Sequence, residues 1–209
     1  MFYFPPPVAD YSPTSCGAAS YIAAKIGGLI GSVVTTRKVD INKHIVTESG
    51  EDYYKVNPKG NVPALVLADG TLLNEGAATL QWIADQAPTS GLAPAWGTSK
   101  RYALINNLNY LASELHSNYG SLFSPSITEE VKAAAHTKLA TKLKYVNDNL
   151  SHFTSDTVDV ASLYLYIILS WSAYLKVDLT PYPGLNTFSA KIAAHPTVVA
   201  AHKEMNEAK

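Results

Sequence analysis

Hydrophobic and polar positions change their period near the middle of the chain. Up to about residue 85, short apolar runs alternate with stretches of helical spacing: Met1 to Phe4, Cys16 to Leu29, Val33 to Ile41, Pro63 to Ala68, Thr71 to Leu73 and Ala77 to Gln86. Short apolar runs bounded by turn residues fit strands, and longer ones repeating at three and four fit helices, so this stretch predicts β-α-β followed by β-β-α. Asp69-Gly70 between two apolar runs predicts a hairpin with a type I′ turn, because both central residues of that turn need positive φ.

The run from Ala87 to Thr98 is rich in breakers and has no period, which makes it a linker. Beyond it the strand signals disappear. Tyr102, Ile105, Leu108, Ala112 and Leu115 share one helical face, and Val131, Ala135, Leu139, Leu143, Val146 and Leu150 repeat at three and four. Helix starts are expected at Thr128, ahead of Glu129 and Glu130, and at Asp159, ahead of an apolar run. A further helix is expected from about Leu185 to Ala194, with His195-Pro196 ending it and a short one following. The fold class is therefore an α/β domain over 1–86, a linker over 87–98 and an all-α domain over 99–209.

Composition narrows the function. The chain of 209 residues is 47% hydrophobic and 16% charged, which is too apolar for a disordered chain. Its 16 Lys and Arg balance 17 Asp and Glu, so no overall field draws in a nucleic acid or an anionic membrane. The uncharged stretch Val160 to Leu175 is shorter than a membrane span of ~20 residues, and reads as a buried helix. The N-terminus lacks a basic region and runs into three prolines, so no secretory signal is expected and the chain is assigned to the cytosol. One cysteine, Cys16, excludes an internal disulfide or a cluster of thiolates on zinc.

Four places could carry chemistry. Cys16 sits where a loop turns into the first helix, whose free N–H groups would stabilise a thiolate; the alternative is a small buried hydrophobe. Val62-Pro63 opens an edge strand, and a cis bond there would turn the backbone polar groups of Val62 outward to pair with a peptide; the alternative is an ordinary strand start. Glu75-Gly76 precedes a helix, where helix-end N–H groups and an acid together match the zwitterionic end of an amino acid; the alternative is an acid that favours the helix dipole. Asn109 and His116, seven residues apart on one helix, lie on nearly the same azimuth and could face a cleft or be satisfied among helices. His136, His152, His195 and His202 have no metal-site spacing and are assigned to solvated faces.

Taken in order, Ser15-Cys16, Thr47 to Tyr53, Asn57-Pro58-Lys59-Gly60-Asn61-Val62-Pro63-Ala64-Leu65, Asn74-Glu75-Gly76-Ala77 and Leu108 to His116 resemble a cytosolic glutathione transferase of the bacterial beta class. The resemblance spans essentially the whole chain. It implies a thioredoxin-like N-terminal domain, an all-α C-terminal domain, glutathione bound between them as co-substrate with no resident cofactor, and a homodimer. It makes Cys16 the thiol beside the glutathione sulfur, able to form a mixed disulfide with it, and gives Val62 the backbone pairing ahead of a cis Pro63. Glu75 and Gly76 would hold the γ-glutamyl end, His116 would stand near the sulfur, and Asn109 would serve the neighbouring subunit's ligand. Tyr11, Ser15, His44 and Asn61 complete the implied glutathione contacts.

The chain departs from the family pattern in places. Pro5 to Asp10 reads as an insertion between the first strand and Cys16. His44, beside Lys43, stands where a lysine usually reaches the glycyl carboxylate, and is a weaker, pH-dependent cation. Ser117 replaces another common lysine, and Asn74 a small hydroxyl residue. The expected activity is conjugation of the glutathione thiolate to a small hydrophobic electrophile, with thiol transfer through Cys16 as a second activity. The apolar site for that electrophile is expected near the Pro5 to Tyr11 loop, Tyr110, Tyr119 and Trp171. The alternative is a non-catalytic ligand carrier that keeps the fold.

Overall fold

The computed structural model describes residues 5–208, which form two compact units: residues 5–93 with 195–208, and Pro94–Ala194. The first is built on a five-stranded mixed sheet in the order β3-β2-β1-β4-β5. Its strands are β1 (Val8–Tyr11), β2 (Thr35–Asp40), β3 (Ile45–Val46), β4 (Ala64–Val66) and β5 (Leu72–Leu73). β1 and β2 run parallel through the crossover helix α1 (Gly17–Ile26), and the β4–β5 hairpin leads into α2 (Gly76–Gln86). This is the β-α-β and β-β-α order expected, with the short β3 added.

The first strand is displaced from its expected place. Met1 to Phe4 lie outside the described residues, and the central strand is Val8–Tyr11, so Pro5 to Asp10 is not a loop insertion. Apolar pattern alone misses it because a charge sits in its middle. Asp10 is fully buried, directly opposite Arg37 of β2, and accepts two bonds from the guanidinium at 2.7 and 3.0 Å. Burial raises the Asp10 pKa despite the Arg37 charge beside it. The hairpin expected at Asp69-Gly70 forms with a different turn. Leu67 O accepts from Gly70 N–H, and φ is positive at Gly70 but not at Asp69, whose carboxylate accepts from Thr71 N–H. A turn of the common hand followed by a left-handed glycine needs only one residue at positive φ.

The second unit is entirely helical among the described residues: α3 (Ser99–Tyr110), a π-helical segment (Leu111–His116), α4 (Ser117–Leu122), α5 (Glu129–Asp148), α6 (Leu150–Phe153), α7 (Val160–Ser170), α8 (Ser172–Leu175) and α9 (Pro183–Ala193). Thr128 caps α5 by accepting from Val131 N–H, and Asp159 caps α7 by accepting from Ser162 N–H at 2.8 Å. α7 is buried along nearly its whole length, as its uncharged sequence predicts. Two expected core positions are exposed, Tyr102 and Val131. The buried stripe of α3 instead runs through Arg101, Leu104 and Leu108, and the Arg101 guanidinium lies 4.1 Å from the centre of the Trp96 ring. No periodicity in apolar residues foresees an arginine packed under a tryptophan.

The last helix, α10 (Pro196–Glu207), is longer than expected and belongs with the first unit rather than with the helical half. It packs on α1, where Lys25 Nζ meets the Glu204 carboxylate at 2.7 Å and Tyr21 donates to the same group. No helix among the described residues is long and apolar enough to cross a membrane.

Arg37→Met leaves the Asp10 carboxyl buried without its cation, and breaking one side of such a pair costs about 3 kcal/mol. The urea midpoint should therefore fall at neutral pH. A carboxyl whose folded pKa lies above its unfolded value contributes stability while protonated and loses it as pH rises, so the deficit of Arg37→Met should shrink toward about pH 4. A pH-independent deficit would show that the Asp10 charge is not its cause.

Candidate functional site

In the first unit, three chain segments converge around the N-terminus of α1. The loop after β1 carries Ser15 and Cys16. Ser15 Oγ donates to Ser12 O and accepts from Gly17 N–H, so the serine rather than the cysteine closes the helix end. Gly17 is needed for close approach: a Cβ there would lie 3.1 Å from the Tyr11 Cα and 3.3 Å from the Val62 Cβ. Tyr11 itself is buried, with its ring 4.6 Å from that of Tyr21. It forms part of the core beneath the loop.

The second segment is Asn57 to Pro63. The Val62-Pro63 bond is cis. Cys16 Sγ–H donates to Val62 O at 3.1 Å, which joins two of the sequence-predicted site residues directly. This geometry reverses the expectation of a standing thiolate. Burial pushes the Cys16 thiol up to about 12, outweighing the backbone N–H groups of Cys16 and Gly17 that favour the anion, and the negative charge of Glu75 adds to the rise. Asn61 is exposed, but its carbonyl accepts from Asn57 Nδ2 at 2.7 Å and from the buried Tyr53 hydroxyl at 3.4 Å. His44 has positive φ, its Nδ1 bonds Gly60 O at 2.9 Å, and its ring lies 4.6 Å from that of Tyr54, tilted by 31°. Gly60, also at positive φ, admits no side chain, since a Cβ would come within 2.5 Å of the Tyr54 ring.

The third segment is Asn74-Glu75-Gly76. Glu75 is extended and exposed at the N-cap of α2, which begins at Gly76, and its carboxylate is 2.5 Å from Lys59 Nζ. The acid and the free N–H groups of the helix end thus sit together as the sequence suggested. Asn74 Nδ2 reaches across to Asn57 Oδ1 at 2.9 Å.

In the second unit, His116 is half-buried, its Nδ1 3.1 Å from the Tyr164 hydroxyl and its ring 5.1 Å from that of Trp171. Asn109 is exposed and does not share its azimuth. The reason is the π-helical segment between them. Its wider turns carry an extra residue and so rotate everything beyond them by one residue's worth of azimuth, ~100°. Of the residues expected to line an apolar site, Tyr119 is instead interior and Tyr110 is half-buried. Tyr119 is fully buried with its hydroxyl on Ser172, and Tyr110 packs on Tyr145 and Phe153. Trp171 lies edge-on to Phe123, whose ring stacks on the exposed Tyr174. Tyr164 and Phe123 were not singled out from the sequence, because nothing in a helical apolar stripe separates a ring that touches a histidine from one that fills the core.

A thiol held this high ionises only in strong alkali. The alkylation rate of Cys16 by iodoacetamide in the ligand-free protein should rise about tenfold per pH unit from about pH 7 to about pH 10 without levelling. A plateau below about pH 9 would mean that the helix end, not burial, sets its ionisation.

The model of the glutathione S-transferase N-terminal domain matches residues 34–86. The glutathione S-transferase GstA of Escherichia coli O157:H7 is 38% identical over 191 residues, which cover 90% of this chain and 93% of that protein. The structure of a sphingomonad glutathione S-transferase complexed with glutathione superposes with a TM-score of 0.88 at 40% identity, covering 96% of this chain and all of the other. The beta-class glutathione S-transferase of Sphingomonas chungbukensis superposes at 0.86 with 38% identity, covering 95% and 98%. With a thioredoxin-like first unit, a helical second unit and this degree of identity along nearly its whole length, the chain belongs to the glutathione S-transferase family and resembles its bacterial beta class.

Proposed function

We propose that this glutathione transferase binds glutathione along Cys16, Val62 and Glu75 and conjugates its thiolate to a small hydrophobic electrophile. The observation that carries the reading is the meeting of Cys16 with the Val62 carbonyl in the same unit that presents Glu75 and Gly76 at the free end of α2. The γ-glutamyl ammonium takes the Glu75 carboxylate, displacing Lys59, and its carboxylate takes the Gly76 end of the helix. The cysteinyl backbone pairs with Val62. Ser15 and Asn61 flank the tripeptide, and Tyr11 supports the loop from beneath. The reading assigns His116 to the glutathione sulfur and Asn109, exposed and rotated away from it, to the ligand of a partner subunit in a homodimer.

Because the ligand-free Cys16 is a neutral thiol, the attacking sulfur is the glutathione's own, and the protein supplies binding and electrostatics. Thiol transfer is the second activity. Cys16, giving up its proton as it attacks, bonds to the glutathionyl sulfur of a mixed disulfide R–S–S–glutathione and releases R–SH; a further glutathione then attacks the Cys16–glutathione disulfide, returning the Cys16 thiol and leaving oxidised glutathione. Intact mass after exposure to oxidised glutathione reads this directly: wild type gains one reducible glutathione and Cys16→Ser gains none.

The reading assigns His44, whose ring is held by the Nδ1 bond to Gly60 O, to the glycyl end. His44→Ala should raise the glutathione Kd in calorimetry, and unaltered affinity would remove His44 from the site. Glu75→Gln should raise the glutathione Kd at least about tenfold by calorimetry with an unchanged melting temperature. Unaltered affinity would remove Glu75 from the site.

A further inference from the structure

The side chain of Asn57 is completely buried, yet every one of its hydrogen-bonding positions is filled. Nδ2 donates to Asn61 O at 2.7 Å and to Asn61 Oδ1 at 3.0 Å, while Oδ1 accepts from Lys59 N–H at 3.2 Å and from Asn74 Nδ2 at 2.9 Å. The neighbours fix which way the carboxamide points, because the flipped amide would set donors against donors and acceptors against acceptors. One side of this amide therefore holds the peptide that ends in Val62, and the other holds the residue immediately before Glu75. Among the described residues, the only other side-chain hydrogen bond that joins these two segments is the exposed Lys59–Glu75 pair.

We propose that Asn57 and Asn74 are positioning residues that set the spacing between the Val62 backbone edge and the Glu75 carboxylate, a role that rests on the glutathione reading above. A tripeptide that must engage a backbone edge at one end and a carboxylate at the other binds tightly only when the two are held at one separation. Asn74 is the informative member. A small hydroxyl side chain at this position would be too short to reach Asn57, so the bridge comes with this chain's own departure from the family pattern. Neither asparagine needs to touch ligand, and their effect passes through Glu75.

A double-mutant cycle tests this, with glutathione as titrant in calorimetry. Asn74→Ala should raise the glutathione Kd about fivefold in the wild-type background and less than about 1.5-fold in Glu75→Gln, because a misplaced glutamine has little left to lose. Its melting temperature should stay within about 2 °C of wild type, as Asn74 is only half-buried. Equal losses in the two backgrounds would make Asn74 a general structural residue, and no loss in either would sever the bridge from binding; each overturns the proposal. Asn57→Ala should show the same dependence on Glu75 with a larger loss of stability, but Asn74→Ala decides the matter even if Asn57→Ala does not fold. Failure of the folded wild type to bind glutathione would instead overturn the functional reading, and this proposal with it.

Discussion

The buried Asp10 carboxylate is the constraint on which the first unit depends. It lies in the central strand, where solvent cannot help it, and it is held by a two-bond contact to Arg37 of the next strand. The single Tyr53 O–H is shared between the second oxygen of Asp10, at 3.3 Å, and Asn61 O, at 3.4 Å. Burial and the neighbouring carboxylate keep that phenol protonated and so keep it a donor. Such a network is costly if any member is missing and rigid when all are present. It runs from the middle of the sheet to the peptide before Val62, so the accuracy of the proposed binding edge is inherited from the core.

Polarity in this unit is arranged in layers. Closest to the core are the ion pair and Tyr53, next the saturated Asn57 amide, and at the surface the exposed Glu75 with Lys59. The inner groups have no solvent alternative and hold their geometry. The outer pair, screened by water, is worth little by itself. This ordering is what a site for a small zwitterion needs, with a stiff frame and exchangeable outer charges.

Cys16 illustrates how one location can be read two ways. A helix N-terminus favours a thiolate, and the backbone N–H groups there do pull in that direction. Burial pulls the other way and wins, and the thiol donates its proton to Val62 O instead. In the second unit the π-helical segment has a comparable effect on His116: it turns the ring toward Tyr164 and Trp171 and away from the face of Asn109. Such wide turns are frequent at functional sites because they re-aim a side chain without breaking the helix.

Much was legible from residue order alone. The alternation of short strands and helices, the switch to an all-helical second half, the caps at Thr128 and Asp159 and the family itself follow from local pattern and motif, because each depends on residues close together in the chain. What the sequence hid was of two kinds. The central strand was obscured by Asp10, since a charge in a core is acceptable only once its partner from another strand is known. The azimuth of His116, the protonated state of Cys16, the bridging by Asn57 and the return of α10 to the first unit depend on groups far apart in sequence and on how burial balances hydrogen bonding there. Periodicity and motif spacing measure neither, and only the tertiary structure brings those groups together.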